Sequence, residues 1–244
     1  MVNPLPTRAA GAYPPAATVS LFADGAVEVL AAPLDVDAAA VRVLAQLLSD
    51  AERERAGRFI FDRDRRRFTV ARARLRQILA ARLHVEPQEV EFAYGPQGKP
   101  ALARRFAASA LTFNLSHSED LAVYAIAGGG EVGVDVEAVR ALRDADEIAA
   151  RFFSRSENEA YLALAARDRP LGFFNCWTRK EAFIKALGEG LSHPLDSFDV
   201  SLAPGEPARL LRVGDPQGEP CGWALHSFPP RPGFVGAIAL RSQA

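Results

Sequence analysis

Apolar residues recur at spacings of three and four from residue 62 to residue 83, with Phe68, Ala71, Leu75, Ile78 and Leu79 on one face. That period predicts a long helix. Shorter helices are marked by their starts. Asp37 can cap a helix running to about residue 48, and Ser49-Asp50-Ala51-Glu52 is a capping box. A second box, Ser154-Arg155-Ser156-Glu157, opens a helix carrying Tyr161, Leu162 and Leu164. A further helix holds Trp177 and Lys185 and stops at Gly188 or Gly190. Strand patterns occupy 19–30, interrupted by the turn signal Asp24-Gly25, and 111–127, where two strands join around Ser118-Glu119-Asp120. Residues 132–136 read as another strand, and short strands run from 195 to the end, including 223–228 and 234–240. Helices and strands interleave throughout, so the fold class is α/β of the α+β type. Pro4, Pro6, Pro14 and Pro15 mark 1–18 as a disordered leader. The break at Gly128-Gly129-Gly130 divides the rest into subdomains 19–128 and 129–244.

Charge narrows the partners. With 29 basic and 30 acidic side chains, the net charge of −1 gives no chain-wide attraction to nucleic acid or membrane, and any basic function is local. No apolar run approaches the roughly 20 residues of a membrane span, and the leader lacks a signal-peptide core. Cys176 and Cys221 form neither a disulfide framework nor a metal-ligand pattern. Reduced thiols in a cytoplasmic protein are the simplest expectation.

Two segments carry the chemistry. In Gly133-Val134-Asp135-Val136-Glu137, strand alternation points Asp135 and Glu137 the same way and the valines the other. Two like charges on one face need water or a cation between them, and an exposed strand edge is the plain alternative. In the helix from Trp177 to Lys185, the residues Phe173, Cys176, Trp177, Phe183, Ile184 and Leu187 form an apolar stripe. Lys180 falls inside that stripe, while Glu181 and Lys185 lie on its rim one turn apart. An ordinary surface Glu–Lys pair accounts for Glu181 with Lys185. It leaves Lys180 on the wrong face, where a charge must be paired or ligated. If the acidic side chains hold a metal, all-oxygen ligands select Mg²⁺ or Mn²⁺, and no Cys/His set suits zinc.

The first half offers phosphate-binding candidates. Residues 51–82 contain eleven arginines, so a solvated helix face accounts for most of them, and one or two at the helix start remain as phosphate ligands. The turn Gly98-Lys99-Pro100 supplies a glycine for close approach and a point charge. Asn114, Ser116, His117 and Ser118 cluster at a strand end without the glycine pattern of a serine-hydrolase elbow.

Together these segments resemble the 4′-phosphopantetheinyl transferase superfamily, in its larger two-domain (Sfp-type) branch. The matching stretches are Asp64-Arg65-Arg66-Arg67-Phe68, Gly98-Lys99-Pro100, Phe113-Asn114-Leu115-Ser116-His117-Ser118, the Gly133 to Glu137 strand, and Trp177 through Ala186. The last two are specific alone, and the five come in the family's order. The resemblance implies a pseudo-dimer of two similar α/β subdomains, with coenzyme A in a cleft between them. It implies transfer of the phosphopantetheine arm to a serine of an apo acyl, peptidyl or aryl carrier protein, releasing adenosine 3′,5′-bisphosphate. By position, Asp135, Glu137 and Glu181 would bind Mg²⁺, with Asp135 also beside the coenzyme. Lys185 would contact the coenzyme's pyrophosphate, Lys180 would also bind the coenzyme, and Arg67, Lys99, Ser116 and His117 would bind its nucleotide end. Arg58 and Arg63 are looser candidates upstream. Glu181 is both a ligand and a candidate base for the serine hydroxyl, which needs one near neutrality. The expected enzyme is a cytoplasmic monomer with no nucleic-acid or membrane partner. A metal-dependent nuclease and a non-catalytic coenzyme A-binding module are the competing readings.

Overall fold

The structure, a computed structural model, describes residues 19–23, 27–214 and 222–241. The expected leader, the turn signal Asp24-Gly25 and Cys221 lie outside the described residues. Strands β1 (Val19–Ala23) and β2 (Val27–Pro33) pair antiparallel. They are followed by helices α1 (Ala38–Ala45), α2 (Asp50–Gly57) and α3 (Asp62–Leu83). Asp37 accepts from the Ala40 amide at 2.7 Å, and the Ser49–Glu52 capping box is formed. By packing, Ala32–Val90 is one compact unit, and Val19–Ala31 with the chain from Glu91 onward is a second.

In the first unit α3 packs on α1 and α2. Its arginines do not all line a solvated face. Arg72 and Arg76 are buried and clasp the equally buried Glu52 at 3.3 and 2.7 Å. Arg76 also donates to the Pro87 and Val90 carbonyls. The solvated-face expectation therefore fails for these two, because the Glu52 carboxylate and the backbone carbonyls around Val90 supply partners in the interior.

The second unit adds a short hairpin of β3 (Phe92–Tyr94) and β4 (Pro100–Leu102), then β5 (Thr112–Ser118), β6 (Leu121–Ala127) and β7 (Glu131–Ala138). Helices α4 (Ala145–Phe152), α5 (Arg155–Ala163) and α6 (Arg169–Leu187) follow. The chain closes with β8 (Phe198–Val200), β9 (Leu210–Val213), β10 (Trp223–Phe228) and β11 (Phe234–Arg241). One sheet has the order β1-β2-β6-β5 and another β10-β11-β7. Strands β5, β6 and β7 thus flank the Gly128 to Gly130 break yet lie in one compact unit. Val132, Val134 and Val136 pack with Val123, Ala125 and Val29 in one apolar cluster. The opposite face of β7 is left for Asp135, Glu137 and the helix that covers them. That helix, α6, buries Phe173, Cys176, Phe183 and Ile184 in a different apolar cluster. It ends on Gly188 at φ +79°, a left-handed turn that glycine adopts without strain.

Candidate active site

A single glycine brings the two acidic segments together. A Cβ on Gly133 would stand 2.1 Å from the Ala182 carbonyl oxygen and 2.3 Å from the Ala186 nitrogen. Only a bare strand lets the α6 backbone settle this close, since the atoms nearest that Cβ are backbone atoms of Ala182 and Ala186. Glu181 and Lys185, their neighbours on the helix, are carried onto β7 beside Asp135.

The resulting bonds are short. Lys185 Nζ donates to Asp135 Oδ1 at 2.6 Å and to Ser116 Oγ at 3.0 Å, and Ser116 Oγ donates to Asp135 Oδ1 at 2.7 Å. Lys185 therefore reaches across to the strand, where an ordinary helix-surface pair would have turned it back on Glu181. Ser118 Oγ donates to Glu137 Oε2 at 2.7 Å. Asp135 is 4% exposed, so the strand edge is not a solvated one. Burial pushes the half-buried Glu181 carboxyl up to about 7, with Asp135 and Glu137 adding repulsion and Lys185 partly offsetting it. Burial also raises the Glu137 carboxyl, and Asp135 adds to that.

This arrangement fits a hard divalent cation. Asp135 Oδ2 is buried without a hydrogen-bond partner, and the three acids repel one another against two counter-charges, Lys185 on Asp135 and Arg140 at 3.9 Å from Glu137. A cation on that oxygen removes both costs. Among the described residues no three His, Cys, Asp or Glu side chains close into a ready-made metal cage. Mg²⁺ commonly keeps waters and shares substrate phosphate oxygens, so it does not require one.

Other expected site residues are engaged elsewhere. Lys180 is 1% exposed and ion-paired with Glu157 at 2.7 Å. It also donates to the Leu195 and Phe198 carbonyls at 2.6 and 2.7 Å. All three of its donors are spent inside the core, which corrects its assignment to coenzyme binding. Lys99 donates to the Val132 and Ala186 carbonyls at 3.2 and 2.8 Å. It fastens its turn to β7 and α6, and burial holds its ammonium below the usual lysine range. Ser116 spends its donor on Asp135. His117 points to the opposite side of β5 from Ser116 and Ser118, and it is exposed. In the first unit Arg67 makes a two-point contact with Asp35, 2.9 Å at each nitrogen.

Three contacts have no direct signal in the motifs. Ser118 tethers Glu137, Asn114 accepts the Val134 amide at 3.0 Å, and Glu157 supplies the counter-charge to Lys180. A signal existed for the last, because a lysine inside an apolar stripe demands an acidic partner. The capping-box glutamate is such a residue, and here it also accepts the Ser154 and Val200 amides.

Comparison with known proteins adds an independent line. A family model described as the 4′-phosphopantetheinyl transferase superfamily matches residues 131–237. A second, described as 4′-phosphopantetheinyl transferase, N-terminal, matches 37–128. The 4′-phosphopantetheinyl transferase HetI of Nostoc sp. is 41% identical over 208 residues, spanning 85% of this chain and 84% of its own. The Bacillus pumilus 4′-phosphopantetheinyl transferase psf-1 is 33% identical over 204 residues, 84% and 83% of the two chains. The human L-aminoadipate-semialdehyde dehydrogenase-phosphopantetheinyl transferase is 30% identical over 206 residues, 78% of this chain and 66% of its own.

Proposed function

This chain belongs to the 4′-phosphopantetheinyl transferase superfamily, and we propose that Asp135, Glu137, Glu181 and Lys185 are the machinery with which it works. The reaction moves 4′-phosphopantetheine from coenzyme A to a carrier protein. The carrier's serine oxygen forms a bond to the phosphorus bearing the pantetheine arm. The bond from that phosphorus to the bridging oxygen breaks, and adenosine 3′,5′-bisphosphate leaves with the electron pair.

Asp135, Glu137 and Glu181 would hold Mg²⁺, or Mn²⁺ in its place. When bound, the ion neutralises charge on the diphosphate. Lys185 supplies a second positive charge toward the same group. Glu181, one helical turn from Lys185, would take the serine proton, directly or through water. The observation that carries this reading is the buried, unpartnered Asp135 Oδ2 beside Lys185. Strand β7 and helix α6 come from one chain, which supports a monomer as the working form. The buried free thiol of Cys176 accords with a reducing, cytoplasmic setting. No described helix is long and apolar enough to cross a membrane.

The test is incubation with coenzyme A, Mg²⁺ and a panel of apo carriers from fatty-acid, polyketide and nonribosomal-peptide synthesis. Mass spectrometry should find one phosphopantetheine added to a carrier, and chelation with EDTA should stop it. Asp135→Ala should abolish transfer while the circular dichroism spectrum is kept. Wild-type transfer by that variant would sink the assignment. Relatives named as transferases give the nuclease reading no support. Glu181→Gln separates catalysis from mere coenzyme binding, since it should remove turnover and leave a folded protein.

A further inference from the structure

We infer that Ser118, together with Ser116, is a positioning residue for the acidic side chains of β7, holding them ready for the cation. The inference rests on the reading of Asp135 and Glu137 as metal ligands. Strands β5 and β7 are edge strands of two different sheets and share no backbone ladder. Side chains of β5 take that ladder's place. Asn114, Ser116 and Ser118 alternate along the strand and so project to one side. Their partners are Val134, Asp135, Glu137 and Ala138, at nearly constant sequence offset, which aligns the strands in parallel. Asn114 Oδ1 accepts the Val134 amide at 3.0 Å, and Ser118 Oγ accepts the Ala138 amide at 3.2 Å. These two bonds set the register at either end of the acidic segment.

Between them a repeated pattern appears. Ser116 holds Asp135 by Oδ1 and leaves Oδ2 buried without a hydrogen bond. Ser118 holds Glu137 by Oε2, and among the described residues Oε1 makes no hydrogen bond. Each carboxylate thus has one oxygen tethered by a hydroxyl and one oxygen to offer. A serine has one proton to donate, and both serines have committed it. Ser118 is 8% exposed and uses its acceptor on β7 as well, so it is built to orient a neighbour rather than to meet a ligand. Hydrogen-bonding groups behind metal ligands commonly fix the ligands' orientation in this way.

The experiment compares wild type, Ser118→Ala and Ser118→Thr. Mn²⁺ binding is read by electron paramagnetic resonance with coenzyme A present, and KM for coenzyme A is read at saturating Mg²⁺. Ser118→Ala should weaken Mn²⁺ by about 10- to 100-fold, leave KM for coenzyme A unchanged, and be restored by Ser118→Thr. Wild-type Mn²⁺ affinity in Ser118→Ala, a raised KM without weaker Mn²⁺ binding, or failure of threonine to restore it would overturn the role. Should the alanine variant not fold, Ser118→Cys, which keeps the volume with a weak donor, carries the same comparison. Glu137→Gln, measured alongside, separates two failures. Wild-type Mn²⁺ binding in that variant overturns the ligand assignment itself. Weakened binding there, with wild-type binding in Ser118→Ala, overturns the positioning role alone.

Discussion

Glu181 shows how a side chain's surroundings become a measurable property of the protein. Its carboxyl titrates near 4.5 when exposed and near 7 in the folded chain, through burial and the repulsion of Asp135 and Glu137. Between those values the folded state keeps a proton that the unfolded chain releases. Stability contributed at this position therefore falls as pH rises from about 4.5 to 7, is unaffected below that window, and stays reduced above it. Glu181→Gln carries no such proton. In divalent-free buffer the variant's unfolding midpoint should gain on the wild type's between about pH 4.5 and pH 7 and hold a constant lead above that, as read by thermal denaturation. A gap that does not change with pH would mean that Glu181 ionises normally in the folded protein. Lys180, one residue away, gives the opposite case. Its burial is fully compensated by Glu157 and two carbonyls, so it is structural despite adjoining the proposed base.

At the scale of elements, the contact of α6 with β7 decides whether there is a site at all. Gly133→Ala places a methyl group where the helix backbone already lies. Neither backbone can yield cheaply, so the helix must lift. We expect a loss of about 1–3 kcal/mol in urea unfolding and a collapse of transfer activity, because Glu181 and Lys185 move away from Asp135. Wild-type turnover in a folded Gly133→Ala protein would show that their close approach is dispensable. Much of the element pattern was legible beforehand, since caps and periods are local chemistry. The long helix Asp62–Leu83 has the bounds its spacing predicts, and both capping boxes are formed. Helix α4 was not, since no side chain caps its start, nor were the three-residue strands β3 and β4, which are too short to display a period. The alternation of Asp135 and Glu137 could also be read from sequence. Their tethers could not, because Ser116 and Ser118 lie 19 residues away along the chain and no local rule pairs them. Lys180 was misassigned for the same reason, its partner Glu157 lying on a different helix.

The molecule as a whole carries a net charge of −1, so no long-range field gathers an anionic coenzyme, and recognition must be local. The local field at β7 and α6 is unfavourable for a diphosphate, since Asp135, Glu137 and Glu181 oppose it and Lys185 alone among the proposed machinery favours it. A divalent cation reverses that sign. Coenzyme and cation should therefore bind with positive coupling, each raising the other's affinity by the same factor. Thermal unfolding reads this directly, because a ligand held only by the folded state stabilises it by about 2.7 kcal/mol at a hundredfold excess over its dissociation constant. Coenzyme A alone and Mg²⁺ alone should each shift the midpoint slightly, and the two together by more than the sum. Asp135→Ala should remove the excess and leave the separate shifts small. If coenzyme A alone shifts the wild type as far as the pair does, the acids do not face the diphosphate, and their repulsion must be relieved by something other than a shared cation.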